Sequence, residues 1–470
     1  MVRVQLIEPR AESAPLAWLV ILALAACAGA LVSGMVTALT YTEYEPFVRA
    51  LGLTLQHLRP IHESFALAWL FLGGVAVVYL YLFMTFGSPS RAMRRRMAWQ
   101  VMLWAVAGIG ILVTLLGGEF TGREYLGYHP GFSLLILAGW LLFAWNFFAS
   151  IRRSDGERPV YIYMWSVAVP LFLIAYAEGH LYLLDLVRLP PVRDIAIQWK
   201  ANGVFVGTFN LLVYGSLMYV VGRMRDDDRY AHSRTAFALF CVALLNTFTN
   251  YGHHTFHLPQ SPWIHWISFV VSMLEIIILA KVLLDVVALQ RHAPARGTAS
   301  VPERFVRAST VWTFFMLFLA LLISVPPLNA LIHGTHVIVA HSMGSMIGID
   351  SMILWAALSY VLCHLVGGAH PAVSCARARV AIPFVSLFLL GFLSSYLAHG
   401  VARGWARYAG PSAPDFSALT SAFPSVMLVS GFGLAATVLW ILGQWTIALI
   451  PVAVTGTFAG RPAGAGGRGE

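Results

Sequence analysis

Charge is what this chain has least of. Only 11% of its 470 residues are Asp, Glu, Lys or Arg and 59% are hydrophobic, whereas soluble domains carry about a quarter charged residues, and this excludes an ordinary soluble globule. Cysteine is also scarce. Cys27, Cys241, Cys363 and Cys375 form no C-x-x-C-H attachment motif and no paired-Cys metal site. They read as small buried apolar side chains, and any haem must be held without covalent attachment. No small-residue cleavage site follows the first apolar stretch, about Pro15 to Leu39, so it reads as a retained helix rather than a signal peptide. No segment between the apolar runs is long enough for a soluble domain. The net charge of +9 is spread over alternate loops with no basic stripe among aromatics, which excludes nucleic acid as a partner.

What is present is a series of apolar runs, each long enough to cross a ~30 Å hydrocarbon core with roughly 20 residues. They fall near 15–40, 62–86, 98–117, 130–150, 160–181, 198–222, 234–257, 262–290, 309–331, 335–366, 380–402 and 424–452. The expected fold is an all-α polytopic membrane protein of about twelve transmembrane helices in one domain, 1–470, with a flexible cytoplasmic tail at 457–470. The lipid bilayer is its first partner. Arg91, Arg94, Arg95, Arg96, Arg152, Arg153, Arg158, Arg223, Arg225 and Arg229 all lie in loops that become cytoplasmic if the N-terminus is inside. The positive-inside rule therefore gives a multi-pass protein of a bacterial inner membrane with both termini cytoplasmic.

Sixteen histidines in so apolar a chain are the informative excess, because ionisable groups inside spans are expensive and usually functional. His62 opens the second span, His253 and His254 close the seventh, and His341 lies a short way into the tenth. All four should reach a similar depth near the outer face, which suggests one redox or metal centre. Adjacent histidines on an α-helix point about 100° apart, so His253 and His254 can share a metal only where the helix loosens. Gly252 and Pro259 permit that.

The run Tyr251-Gly252-His253-His254 resembles the metal-binding His-His motif in the seventh helix of the haem-copper oxidase superfamily. His333-Gly334-Thr335-His336-Val337-Ile338-Val339-Ala340-His341-Ser342-Met343 is similar to the tenth helix of the catalytic subunit of cytochrome-c-dependent nitric oxide reductases. There, histidines at i and i+2, about 200° apart, serve two haems. Leu58-Arg59-Pro60-Ile61-His62 resembles the start of the family's second helix, and Gly122-Arg123-Glu124-Tyr125-Leu126 a loop whose glutamate is linked to calcium. The resemblance spans essentially the whole chain and implies a haem-copper oxidase subunit I-like bundle. It assigns His341 to a high-spin b-type haem and His62 to a low-spin one, and His253 and His254 to a non-haem iron or copper. Glu124 becomes a calcium ligand, and Glu275 a catalytic or metal-binding carboxylate in the eighth helix.

Three positions depart from the family pattern. Asn202 stands where the third metal histidine should be, as both metal ligand and catalytic residue, and its neutral carbonyl is a weaker ligand than imidazole. Val206 stands where a glutamate should be. The non-haem metal is therefore weakened or lost. Met343 replaces the second haem histidine; Met/His ligation is known and raises the potential. The alternatives are that Met343 is ordinary packing and that the low-spin haem is absent or uses His336 or His57. Gly127 replaces a second loop glutamate, weakening the calcium expectation.

The function implied by the resemblance is reduction of nitric oxide to nitrous oxide and water, with electrons from a membrane-anchored cytochrome c subunit or a soluble cytochrome c. Two alternatives stand beside it: an altered enzyme that acts on dioxygen or dismutates NO, and a non-catalytic haem-binding membrane sensor.

Overall fold

The computed structural model describes residues 13–153, 156–291, 300–412 and 414–455. It is helical throughout, with no strand among the described residues. The first part of the chain forms α1 (Ala14–Leu39), the short α2 (Glu45–Ala50), α3 (Leu55–Phe86), α4 (Arg91–Leu116), α5 (Gly131–Ile151), α6 (Val160–Gly179), the single turn α7 (Asp185–Arg188) and α8 (Pro191–Arg225). Next come α9 (Arg234–Thr249), α10 (Pro262–Arg291), α11 (Val301–Ser324), α12 (Pro326–Ile332), α13 (His336–Met343), α14 (Met352–Val366), α15 (Cys375–Ala409) and α16 (Ser417–Thr455). The expected tail at 457–470 lies outside the described residues.

Among the described residues, eleven helical stretches are long and apolar enough to cross a bilayer. The twelfth expected span, 234–257, differs. There the α-helix stops after 16 residues and runs on as a tighter 3-10 turn, Asn250–His253, so the α-helical part alone is about 24 Å long at 1.5 Å per residue.

Burial separates the helices into two groups. The most apolar stretch of α3 is 89% buried and those of α8 and of His336–Val366 are each 83% buried, against 28% for α4. A helix apolar all round is buried by neighbours, and one that exposes large apolar side chains in a membrane protein faces lipid. On α4, Ile109 and Val113 are exposed, as are Ile277 and Leu284 on α10 and Val429 and Ile447 on α16. α3 packs on α1 and α8, α6 on α8, and α15 on both α13 and α16. Small residues allow close approach where no hydrophobic drive separates helix from lipid. At Gly400 of α15, a Cβ would collide with the backbone N of Val337 on α13.

Between α13 and α14 the chain is π-helical over Gly344–Ser351. Widening leaves carbonyls in need of donors, and Ser351 Oγ donates to Met346 O at 2.7 Å while Trp69 Nε1 of α3 donates to Ser351 Oγ at 2.9 Å. The widening thus falls within one turn of His341 and Met343.

Candidate redox and metal centre

α9 loosens where two adjacent histidines need it to. Gly252 is the cause: a Cβ there would lie 2.6 Å from Ile264 O and 2.8 Å from Ser268 Cβ of α10, so only glycine lets the turn press against α10. Ser268, fully buried, then fixes the first imidazole: the His253 backbone N–H donates to Ser268 Oγ at 3.2 Å, and His253 Nδ1 lies 3.2 Å from the same oxygen. That leaves Nε2 for a ligand. His254 lies flat on Trp199 of α8, with centroids 4.8 Å apart and planes 2° from parallel, and its ring centroid is 4.4 Å from that of His253. Both rings stand within electrostatic reach of His341. The structure thereby gathers His253, His254 and His341.

Asn202 is buried one turn beyond Trp199, and its Nδ2 has no hydrogen-bond partner. Turning the amide over would present Oδ1 instead. Among the described residues no three His, Cys, Asp or Glu side chains converge as a metal site. Two imidazoles meet here, and the helix that carries Trp199 adds the unpartnered amide of Asn202 one turn on, side chains that fit a weakly held transition metal. Glu275 is not brought to the pair: it lies seven residues past Ser268, about 10 Å along the helix, where its carboxylate accepts a hydrogen bond from Asn246 Nδ2 and Ser272 Oγ donates to Asn246 Oδ1 at 3.1 Å. The helical rise thus carries the backbone of Glu275 two turns inward of Ser268.

The haem candidates pass a test of fit. His62 Nδ1 lies 2.8 Å from Ala30 O of α1, the contact that fixes tautomer and ring orientation in metal-ligating histidines, and Nε2 is left for iron. Gly34 makes room, since a Cβ there would sit 3.0 Å from the His62 ring. His341 Nδ1 is buried without a partner, and buried unsatisfied atoms of this kind call for a ligand. Met343, two residues on, is partly buried and faces away from His341 by helical geometry. Of the alternative ligands, His336 likewise has a buried Nδ1 without a partner. His57 Nδ1 contacts Thr54 Oγ1 at 2.8 Å and its ring packs on Phe120; His336 packs among Tyr396, His399 and Phe423.

The expected calcium ligand has a different counter-charge. Glu124 is held by Arg59 through both oxygens at 2.7 and 2.6 Å, and Arg59 Nε also reaches Glu63 at 2.7 Å. A guanidinium between two carboxylates supplies positive charge at Glu124. Glu63 was not anticipated, although its place one turn after Arg59 is the helical ion-pair spacing.

Sequence reasoning also missed Ser268 and Trp199, the residues that hold the imidazoles. It found no partner for Asp350, which lies buried in the π-helical segment with Oδ1 unpartnered. Tyr214 of α8 stands within electrostatic reach of both Asp350 and Glu275. A second imidazole pair, His257 and His333, has centroids 5.1 Å apart. Burial, then His257 and Arg407, push the His333 imidazole below its usual range.

The family model described as cytochrome c and quinol oxidase polypeptide I matches residues 14–458. No curated protein matches. Among solved structures, the chain is similar to one described as the cryo-EM structure of a heme-copper terminal oxidase dimer that provides insights into its catalytic mechanism. Identity is 15%, the alignment covers 95% of this chain and 84% of that one, and the TM-score is 0.70, a likeness of fold.

Proposed function

Because the chain belongs to the cytochrome c and quinol oxidase polypeptide I family, which makes it a haem-containing multi-pass membrane oxidoreductase, we propose that it is the catalytic subunit of a nitric oxide reductase-like enzyme. The observation that carries this reading is the meeting of His253 and His254 with His341 at one end of the bundle, His62 being oriented by Ala30 O on α1. His341 would hold the high-spin haem, His62 and Met343 the low-spin haem, and His253, His254 and Asn202 the non-haem metal. When bound, these groups supply the redox chemistry that joins two NO molecules into nitrous oxide and water, with two electrons and two protons.

The chain's own residues do the rest. Ser268 and Trp199 hold two imidazoles so that neither must reorganise when a ligand arrives. Val206, partly buried in the core, offers no polar group to water. Glu275, hydrogen-bonded by Asn246, is a carboxyl able to hold or pass a proton two turns inward of the histidines. The family takes electrons from cytochrome c or quinol; the donor proposed here is a cytochrome c, either a membrane-anchored subunit or a soluble protein.

A second reading is favoured by one observation, the missing third metal side chain: a haem protein that binds a diatomic gas without turning it over. Two assays of the purified protein with an artificial electron donor, one anaerobic with NO and one with dioxygen, separate the readings. Our reading expects NO to be consumed with one nitrous oxide formed per two NO. Reduction of dioxygen with no action on NO would replace it by an oxidase, and spectral binding without turnover by a sensor.

A further inference from the structure

The geometry points to a metal-capture site formed by His257 and His333 at the mouth of the centre, through which a divalent transition-metal ion reaches His253 and His254. This inference rests on the reading that the inner pair takes a metal. Neither imidazole has a role in that reading, yet they come from segments far apart in the chain and meet with ring centroids 5.1 Å apart and planes at 38°. At this separation, rotation of the rings brings one nitrogen of each toward a common point at the ~2.0–2.1 Å zinc–imidazole distance.

Both segments are held. His333 follows α12, and its turn is completed by Gly334 at φ +73. Arg407 of α15 donates to the carbonyls of Leu331, Ala330 and His333 at 2.7, 3.2 and 3.1 Å. The guanidinium is thereby committed to backbone oxygens, although its charge still opposes a nearby cation. On the other side, His265 of α10 stacks on Phe256, centroids 4.4 Å apart, and its Nε2 lies 3.3 Å from Thr255 O. These contacts pin the loop that carries His257.

Depth gives the order of passage. His257 is exposed and His333 half-buried. His257 follows His254 by three residues along the same loop, so the outer pair lies beside the inner one. An ion arriving from the outer side meets His257 and His333 first, and His254 next. Imidazole suits zinc, copper, iron and nickel, with water completing the outer coordination.

The test uses the full-length protein in detergent, stripped with a chelator and titrated with Zn2+ alone. Wild-type protein should bind one equivalent that is lost in both His257→Ala and His333→Ala, each weakening it by more than the roughly 10-fold that removal of a ligand's own hydrogen-bond partner costs. That equivalent should persist in His254→Ala, so that failure of the inner metal reading leaves the outer site measurable. Loading of the inner pair should slow in the two outer variants and reach the same final occupancy in excess metal. An unchanged haem spectrum serves as the check that each variant is folded. Unaltered zinc stoichiometry in both outer variants would overturn the site, and lost stoichiometry with unaltered loading would overturn its role as an entry port.

Discussion

At the scale of single residues, the account depends on how each imidazole is held. His62 owes its orientation to Ala30 O and His57 is tied to Thr54, so His62→Ala should abolish a six-coordinate low-spin haem spectrum and His57→Ala should leave it intact. The reverse result would mean that the ligand lies nearer the membrane edge. Ser268 is the contact that turns His253. Ser268→Ala should lower affinity for the non-haem metal about 10- to 100-fold, the usual cost of removing an outer-shell partner, with haem content unchanged; equal metal affinity in parent and variant would remove Ser268 from the site. Asn202 and Val206 test the donor set itself. The Asn202→His, Val206→Glu double variant should raise non-haem metal per haem, because imidazole and carboxylate are stronger ligands than an amide and an alkyl group. If occupancy stays at the parental level, more than two side chains closes the pocket.

These roles were legible in part. His62, His253, His254 and His341 stood out because a polar ring in an apolar run has few structural uses. Ser268 and Trp199 did not, since a serine and a tryptophan inside apolar helices carry no marker of what they touch. The Arg59 side chain that pairs with Glu124 was not legible either, since its approach depends on tertiary packing.

At the scale of elements, hydropathy located the spans because the bilayer sets a length that any crossing helix must meet, but not their ends: the helix expected at 309–331 is Val301–Ser324. It overstated the seventh span, 234–257. The α-helix stops at Thr249 because Asn250-Tyr251-Gly252-His253 forms a tighter turn, in which Gly252 lacks the side chain that would keep it away from α10. Gly252→Ala should therefore cost about 1–3 kcal/mol, the typical range for overpacking, and should also displace His253 and His254. The measurement is the thermal midpoint of the purified protein alongside its non-haem metal content. A variant with parental stability and metal content would show that the tight turn does not position the pair. The π-helical stretch Gly344–Ser351 left no trace in the sequence pattern, because a helix buried on nearly every side has no exposed polar face whose periodicity an extra residue would shift.

At the scale of the whole molecule, the three helices with the most buried stretches, α3, α8 and the His336–Val366 span, carry His62, Asn202 and His341, while α9 with the turn after it and α10 bring His253, His254 and Ser268 to the same end. Insertion depends on hydropathy and cofactor retention on ligation, so His341→Ala should still insert as a folded bundle while losing the high-spin haem. The central claim is that this bundle holds two haems and one non-haem metal through those side chains. It is tested most directly by counting haem, iron and copper per chain in the purified parent and in His341→Ala. The account predicts two b-type haems in the parent, with non-haem iron or copper present at or below one per chain, and one haem in the variant; a parent without haem, or a variant that keeps both, would contradict it.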